Sequence, residues 1–110
     1  MKNKARKFQN RQGDLWFEEV DSVPATAKKQ KAAGARIILA HGEVTGHHHS
    51  VDADAADWWK EDNGDQYIFA PVKTLVEHQE HGAVVLPANK TILVRRQREY
   101  SPEAIRQVED

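Results

Sequence analysis

The chain contains no cysteine. That excludes disulfides, thiolate metal ligands and thiol nucleophiles together, and it fits a reducing compartment. There is no apolar run near the ~20 residues of a membrane span. The N-terminus carries Lys2, Lys4, Arg6 and Lys7 but lacks the apolar stretch of a secretory signal. A soluble, cytoplasmic protein is therefore expected. No internal repeat or dividing linker is present, so 110 residues read as one domain. Nucleophile-elbow, RNA-binding, zinc-finger and helix-turn-helix signatures are missing as well.

The net charge is −1, and its distribution is more informative than its sum. Residues 1–11 are basic and carry one large apolar side chain, Phe8. They read as a flexible arm that can meet an acidic partner or a polyanion through Lys2, Lys4, Arg6 and Lys7. Residues 12–110 read as the single folded domain. Its middle is acidic from Glu43 to Asp65, and Arg95, Arg96 and Arg98 restore positive charge near its end.

Short apolar runs between turn signals dominate this domain. Leu15–Val20 follows a Gly-Asp turn and reads as a strand, with Trp16 expected in the core. Residues 21–35 lack an apolar period and read as an exposed loop, with room for a helical turn near Ala25–Ala33. Arg36–His41 and His47–Val51 read as strands. Trp58–Lys60 and Asp65–Ala70 flank Asn63-Gly64, the strongest two-residue hairpin signal, which predicts a type I′ turn. Val72–His78, Ala83–Leu86 and a strand beginning at Thr91 complete the set. Ser101-Pro102-Glu103 has the pattern of a helix start. The expectation is an all-β small barrel or sandwich of about seven short strands with a short C-terminal helix.

Histidine is where the chemistry concentrates. His41, His47, His48 and His49 lie within nine residues, and His78 and His81 form a second segment. Two histidines at i and i+2 on a strand point to one face. His47 and His49 thus become the expected metal pair, with His78 and His81 as further ligands. Glu77, Glu80, His41 and Glu43 are additional candidates. Imidazole and carboxylate donors without thiolates suit an open divalent site for Zn, Fe, Mn, Ni or Cu. Three consecutive histidines also suit a solvated loop. His48 is expected to face away from the pair. Trp58 and Trp59 are candidate partner contacts, since successive strand residues cannot both be buried on one face.

Gly42 with His47-His48-His49 resembles the first part of a cupin metal motif. No Glu follows His49 at the spacing of that motif, and Pro87-Ala88-Asn89 comes after the second histidine segment rather than before it. This likeness carries no reaction to the chain. A wider resemblance spans Arg11-Gln12-Gly13-Asp14, Gly42-Glu43-Val44-Thr45-Gly46-His47, Glu80-His81, Leu86-Pro87 and Val94-Arg95-Arg96-Gln97-Arg98-Glu99-Tyr100. These stretches are similar to a family of small bacterial and phage-associated β-rich proteins without an established activity. The two functional expectations are a His-centred metal site and, from a different class, an assembly module of a larger bacterial or phage complex, which would include a homo-oligomer.

Overall fold

The structure is a computed structural model that describes residues 7–41 and 46–97. Among the described residues it is all-β, with ten short strands and no helix. Six strands make one antiparallel sheet. Across it run β1 (Gln9–Gln12), β2 (Leu15–Val20), β10 (Lys90–Arg96), β7 (Gln66–Ala70), β6 (Asp57–Lys60) and β3 (Lys28–Lys29). The sheet is open, with β1 and β3 at its edges, so of the expected barrel or sandwich the closed barrel is not formed, and ten short strands stand where about seven were expected. Two ribbons complete the fold. One pairs β4 (Arg36–His41) with β5 (His48–Asp52), the other β8 (Thr74–Val76) with β9 (Val84–Leu86). The proposed helix after Ser101 lies outside the described residues.

Period-two alternation explains the buried face of β2, β4, β8 and β9, while the central strands β7 and β10 are buried on both faces, with Tyr67 and Leu93 on the second. Leu15 and Phe17 of β2, Ile68 of β7, and Ile92 and Val94 of β10 turn one face of the sheet inward. The ribbons answer with Ile37, Leu39, Val51, Val76, Val84 and Leu86, and all of these share one core. Each such side chain contributes roughly 1.5–3 kcal/mol on burial. Trp16 lies on the other face, half-buried, and donates its indole N–H to Glu18 Oε1 at 2.7 Å. It is not a core residue, because Leu15 and Phe17 on either side already face inward.

Three local readings change. The stretch read as an arm enters the fold before residue 11: β1 pairs with β2, Phe8 packs against the core, and Lys7 Nζ reaches Asp21 Oδ1 at 2.8 Å. Lys2, Lys4 and Arg6 lie outside the described residues. Within residues 21–35, Lys28–Lys29 pairs with β6 instead of joining a helical turn, because an open sheet edge supplies the backbone partners. The β6–β7 hairpin forms as expected, but not through a type I′ turn. Its loop closes from the Gly64 N–H to the Glu61 carbonyl at 3.0 Å, and only Gly64, at φ 97°, has positive φ.

The contact that matters most for function is small. Ser50 of β5 and Glu77, just past β8, exchange two backbone hydrogen bonds of 3.0 and 2.9 Å. This single bridge sets the segment after β8 beside β5, and so carries His78 to His49.

Candidate functional site

The centre of the site is His49. Its place in β5, opposite Ala40 and next but one to Val51, turns it inward, and it is 1% exposed. Its Nδ1 lies 2.8 Å from Gln12 Oε1. Its Nε2 points to the β1–β2 turn, where Asp14 Oδ1 stands 3.6 Å away. Burial lowers the His49 pKa to about 4, with neighbouring His78 adding to the effect against the opposing pull of Asp14. The ring is therefore neutral at pH 7.

The second histidine segment closes over this ring. The His78 ring centroid is 4.4 Å from that of His49 and 4.6 Å from that of His81. His81 lies parallel to His49, with centroids 6.3 Å apart. Burial also lowers the His78 pKa, and His81 and His47 push in the same direction. Nδ1 of His78 accepts the Glu80 backbone N–H at 3.0 Å. The two histidine stretches thus meet at one place.

The β1–β2 turn is shaped for this meeting. Gln12 and Leu15 pair across it, leaving Gly13 and Asp14 as its two central residues. Gly13 sits at φ 58°, a left-handed backbone that costs glycine little. A Cβ there would come within 2.8 Å of His81 Nε2 and 3.3 Å of His49 Cε1. Asp14 is held from its other side, where Arg96 Nε meets its Oδ2 at 2.9 Å. Beyond Arg96, a groove of about 700 Å³ runs along Leu39, His41, Asp65, Gln66 and Arg95.

The remaining candidates fall into place around this centre. His47 precedes β5 and stands at the rim, with its ring 5.9 Å from that of His78 and its Nδ1 3.2 Å from Glu80 Oε2. That Nδ1 is buried without a well-directed hydrogen bond. His48 turns the other way, toward His41, with ring centroids 6.4 Å apart. Glu77 pairs with Arg36 at 3.0 Å and stays out of the cluster, and Glu43 lies outside the described residues. Among the described residues, no three His, Asp or Glu side chains converge on one metal-sized point as they stand. The engagement of His78 Nδ1 by the Glu80 amide is one physical reason.

Sequence reasoning missed Asp14 and Gln12. Their only signal is the Arg11-Gln12-Gly13-Asp14 stretch, which reads locally as nothing more than a turn. The tryptophans are held by their own sheet. Trp58 packs against the core, donates to Gln66 Oε1 at 2.8 Å and lies under Lys60, whose Nζ is 5.1 Å from the ring. Trp59 lies under Lys29, whose Nζ is 5.3 Å from its ring. Both are half-buried.

Residues 11–97 match a family described as a domain of unknown function, DUF8820. The chain belongs to the DUF8820 family. Every residue of the cluster, from Gln12 to Arg96, falls inside the DUF8820 span. No curated protein and no solved structure matches the chain. Among the described residues, no helix is long and apolar enough to cross a membrane.

Proposed function

We propose that this DUF8820 domain binds one divalent transition-metal ion between His49, His78, His81 and Asp14. The observation that carries the reading is the approach of His49 Nε2 to Asp14 Oδ1 at 3.6 Å. His49 Nδ1 is engaged by Gln12 Oε1 at 2.8 Å, so Nε2 is the ring nitrogen that meets the Asp14 carboxylate. A cation between the two atoms would be held by both. Two ligands each about 2.0–2.1 Å from a tetrahedral zinc stand roughly 3.3 Å apart, close to the observed separation. His78 and His81 supply further nitrogens after modest ring rotations, and His78 must give up the Glu80 amide to offer Nδ1. His47 and Glu80 form the rim.

A donor set of imidazoles and one carboxylate suits Zn, Fe, Mn, Ni or Cu. His81 is exposed and Asp14 and His78 partly so beside the buried His49, which leaves positions for water or substrate, the mark of an open site. The lack of cysteine suits a cytoplasmic setting. Elemental analysis of protein purified without an affinity tag tests the reading. Near-stoichiometric transition metal is expected, and protein that stays metal-free after incubation with each of these ions refutes it.

A second reading, an assembly module of a bacterial or phage complex, is favoured by one observation. Val72, Leu75 and Val85 are exposed at 58%, 44% and 47%, and Leu75 pairs with Val85 across the β8–β9 ribbon. Metal-free protein that self-associates through that ribbon would place this reading first.

A further inference from the structure

We infer that Gln12 is the positioning residue of the histidine site, holding His49 in the form protonated on Nδ1 so that its Nε2 lone pair faces Asp14. The inference rests on the metal-site reading only for what that lone pair binds.

Gln12 is 2% exposed, so each polar atom of its amide needs a partner inside the protein. The amide nitrogen donates to the Val76 carbonyl and to the Gly82 carbonyl, each at 2.9 Å. Both partners are acceptors only. Turning the amide over would set its oxygen against two carbonyl oxygens, so the orientation is fixed. The oxygen is then left facing His49 Nδ1 at 2.8 Å. An amide oxygen cannot donate, so Nδ1 must carry the hydrogen. A neutral imidazole has one N–H, and Nε2 is left with the lone pair.

The same amide does a second thing. Val76 and Gly82 bracket the segment that carries His78 and His81. By bonding to both ends, Gln12 holds the segment closed over His49. One side chain on the edge strand β1 therefore sets the protonated nitrogen of the buried histidine and the position of the two others. A hydrogen-bond partner that fixes the tautomer is the usual support of a ligating histidine, and its loss typically costs about 10–100-fold in metal affinity.

Long-range ¹H–¹⁵N NMR of histidine-labelled, metal-free wild-type protein at pH 7 tests this without reference to metal. His49 is expected to show a protonated Nδ1 and an unprotonated Nε2. A proton on Nε2, or a mixture of both forms, overturns the inference whether or not the protein binds metal. Gln12→Ala is expected to give mixed tautomers and Zn²⁺ binding weakened about 10–100-fold. A folded variant with unchanged tautomer also overturns it. If that variant does not fold, the wild-type spectrum decides alone. A wild-type Nδ1–H form in protein that binds no Zn²⁺ would refute the metal reading and leave the role of Gln12 standing.

Discussion

The carboxylate of Asp14 stands 3.6 Å from Nε2 of His49, joining the β1–β2 turn to the start of β5. Arg96 holds the other oxygen of the same carboxylate at 2.9 Å. The turn and this ion pair thus place Asp14 beside His49. Asp14→Asn keeps the shape and removes the charge. Zn²⁺ affinity is expected to fall more than about 100-fold, beyond the usual cost of an outer-shell change. The pair with Arg96 is partly exposed, so the stability change should stay within about 1 kcal/mol. Calorimetric titration and thermal melting check the two halves separately.

Neighbouring histidines should behave differently. His49→Ala removes the central nitrogen and should abolish Zn²⁺ binding. His48→Ala should leave the affinity within about threefold, because alternation along β5 turns that ring to the other side. His47→Ala should fall between the two, since His47 stands at the rim beside His78 and Glu80. Equal losses from His48→Ala and His49→Ala would contradict the site.

When metal binds through Nδ1 of His78, the Glu80 amide loses its acceptor. The Glu80 amide resonance should shift strongly on addition of Zn²⁺, while the amide of Val85 stays still. An unmoved Glu80 signal in zinc-loaded protein would place the bond at the other nitrogen of His78.

Much of the strand order was legible from short apolar runs between turn signals. Ile37/Leu39 name a buried face by period two, whereas Leu15-Trp16-Phe17 and Ile92-Leu93-Val94 are unbroken runs in which the inward face shows only once the partner strands are in place. What escaped depends on contacts distant in sequence. Lys28–Lys29 has no apolar pattern and becomes a strand only because β6 offers it an edge. Phe8 and β1 look like a charged terminus until β2 pairs with them. In the site, the two histidine stretches announced themselves by composition. Their partners Gln12 and Asp14 did not, since a Gly-Asp turn carries no sign of what lies across from it. His47 matched His49 by spacing, yet β5 begins at His48, so strand alternation does not fix the direction of His47.

The involvement of Phe8 in the fold gives a stability test. Its ring is partly buried against the core, and its backbone accepts the Glu19 N–H at 2.9 Å. Phe8→Ala should cost about 1–3 kcal/mol, less than a fully buried phenylalanine. Urea unfolding measures it. No loss would return this segment to the role of a loose arm.

The acid sensitivity of the fold should be read at Asp65. Hydrogen bonds from Arg95, at 3.0 and 2.7 Å, hold its pKa below the ordinary value of 3.8. The carboxyl thus binds its proton more readily in the unfolded chain. The pair contributes stability fully above the unfolded pKa, and that contribution is lost as pH falls through the lower folded value. Asp65→Asn should therefore be less stable than wild type at pH 7, with the gap closing below about pH 4. Thermal melts of both proteins across this range measure the gap. A constant difference would contradict the ion pair.

Calorimetric titration of metal-stripped wild-type protein with Zn²⁺, beside His49→Ala, decides whether His49 and Asp14 hold a metal. One ion bound per wild-type chain and none by the variant is expected. No binding by folded wild-type protein, or equal binding by both proteins, would contradict it.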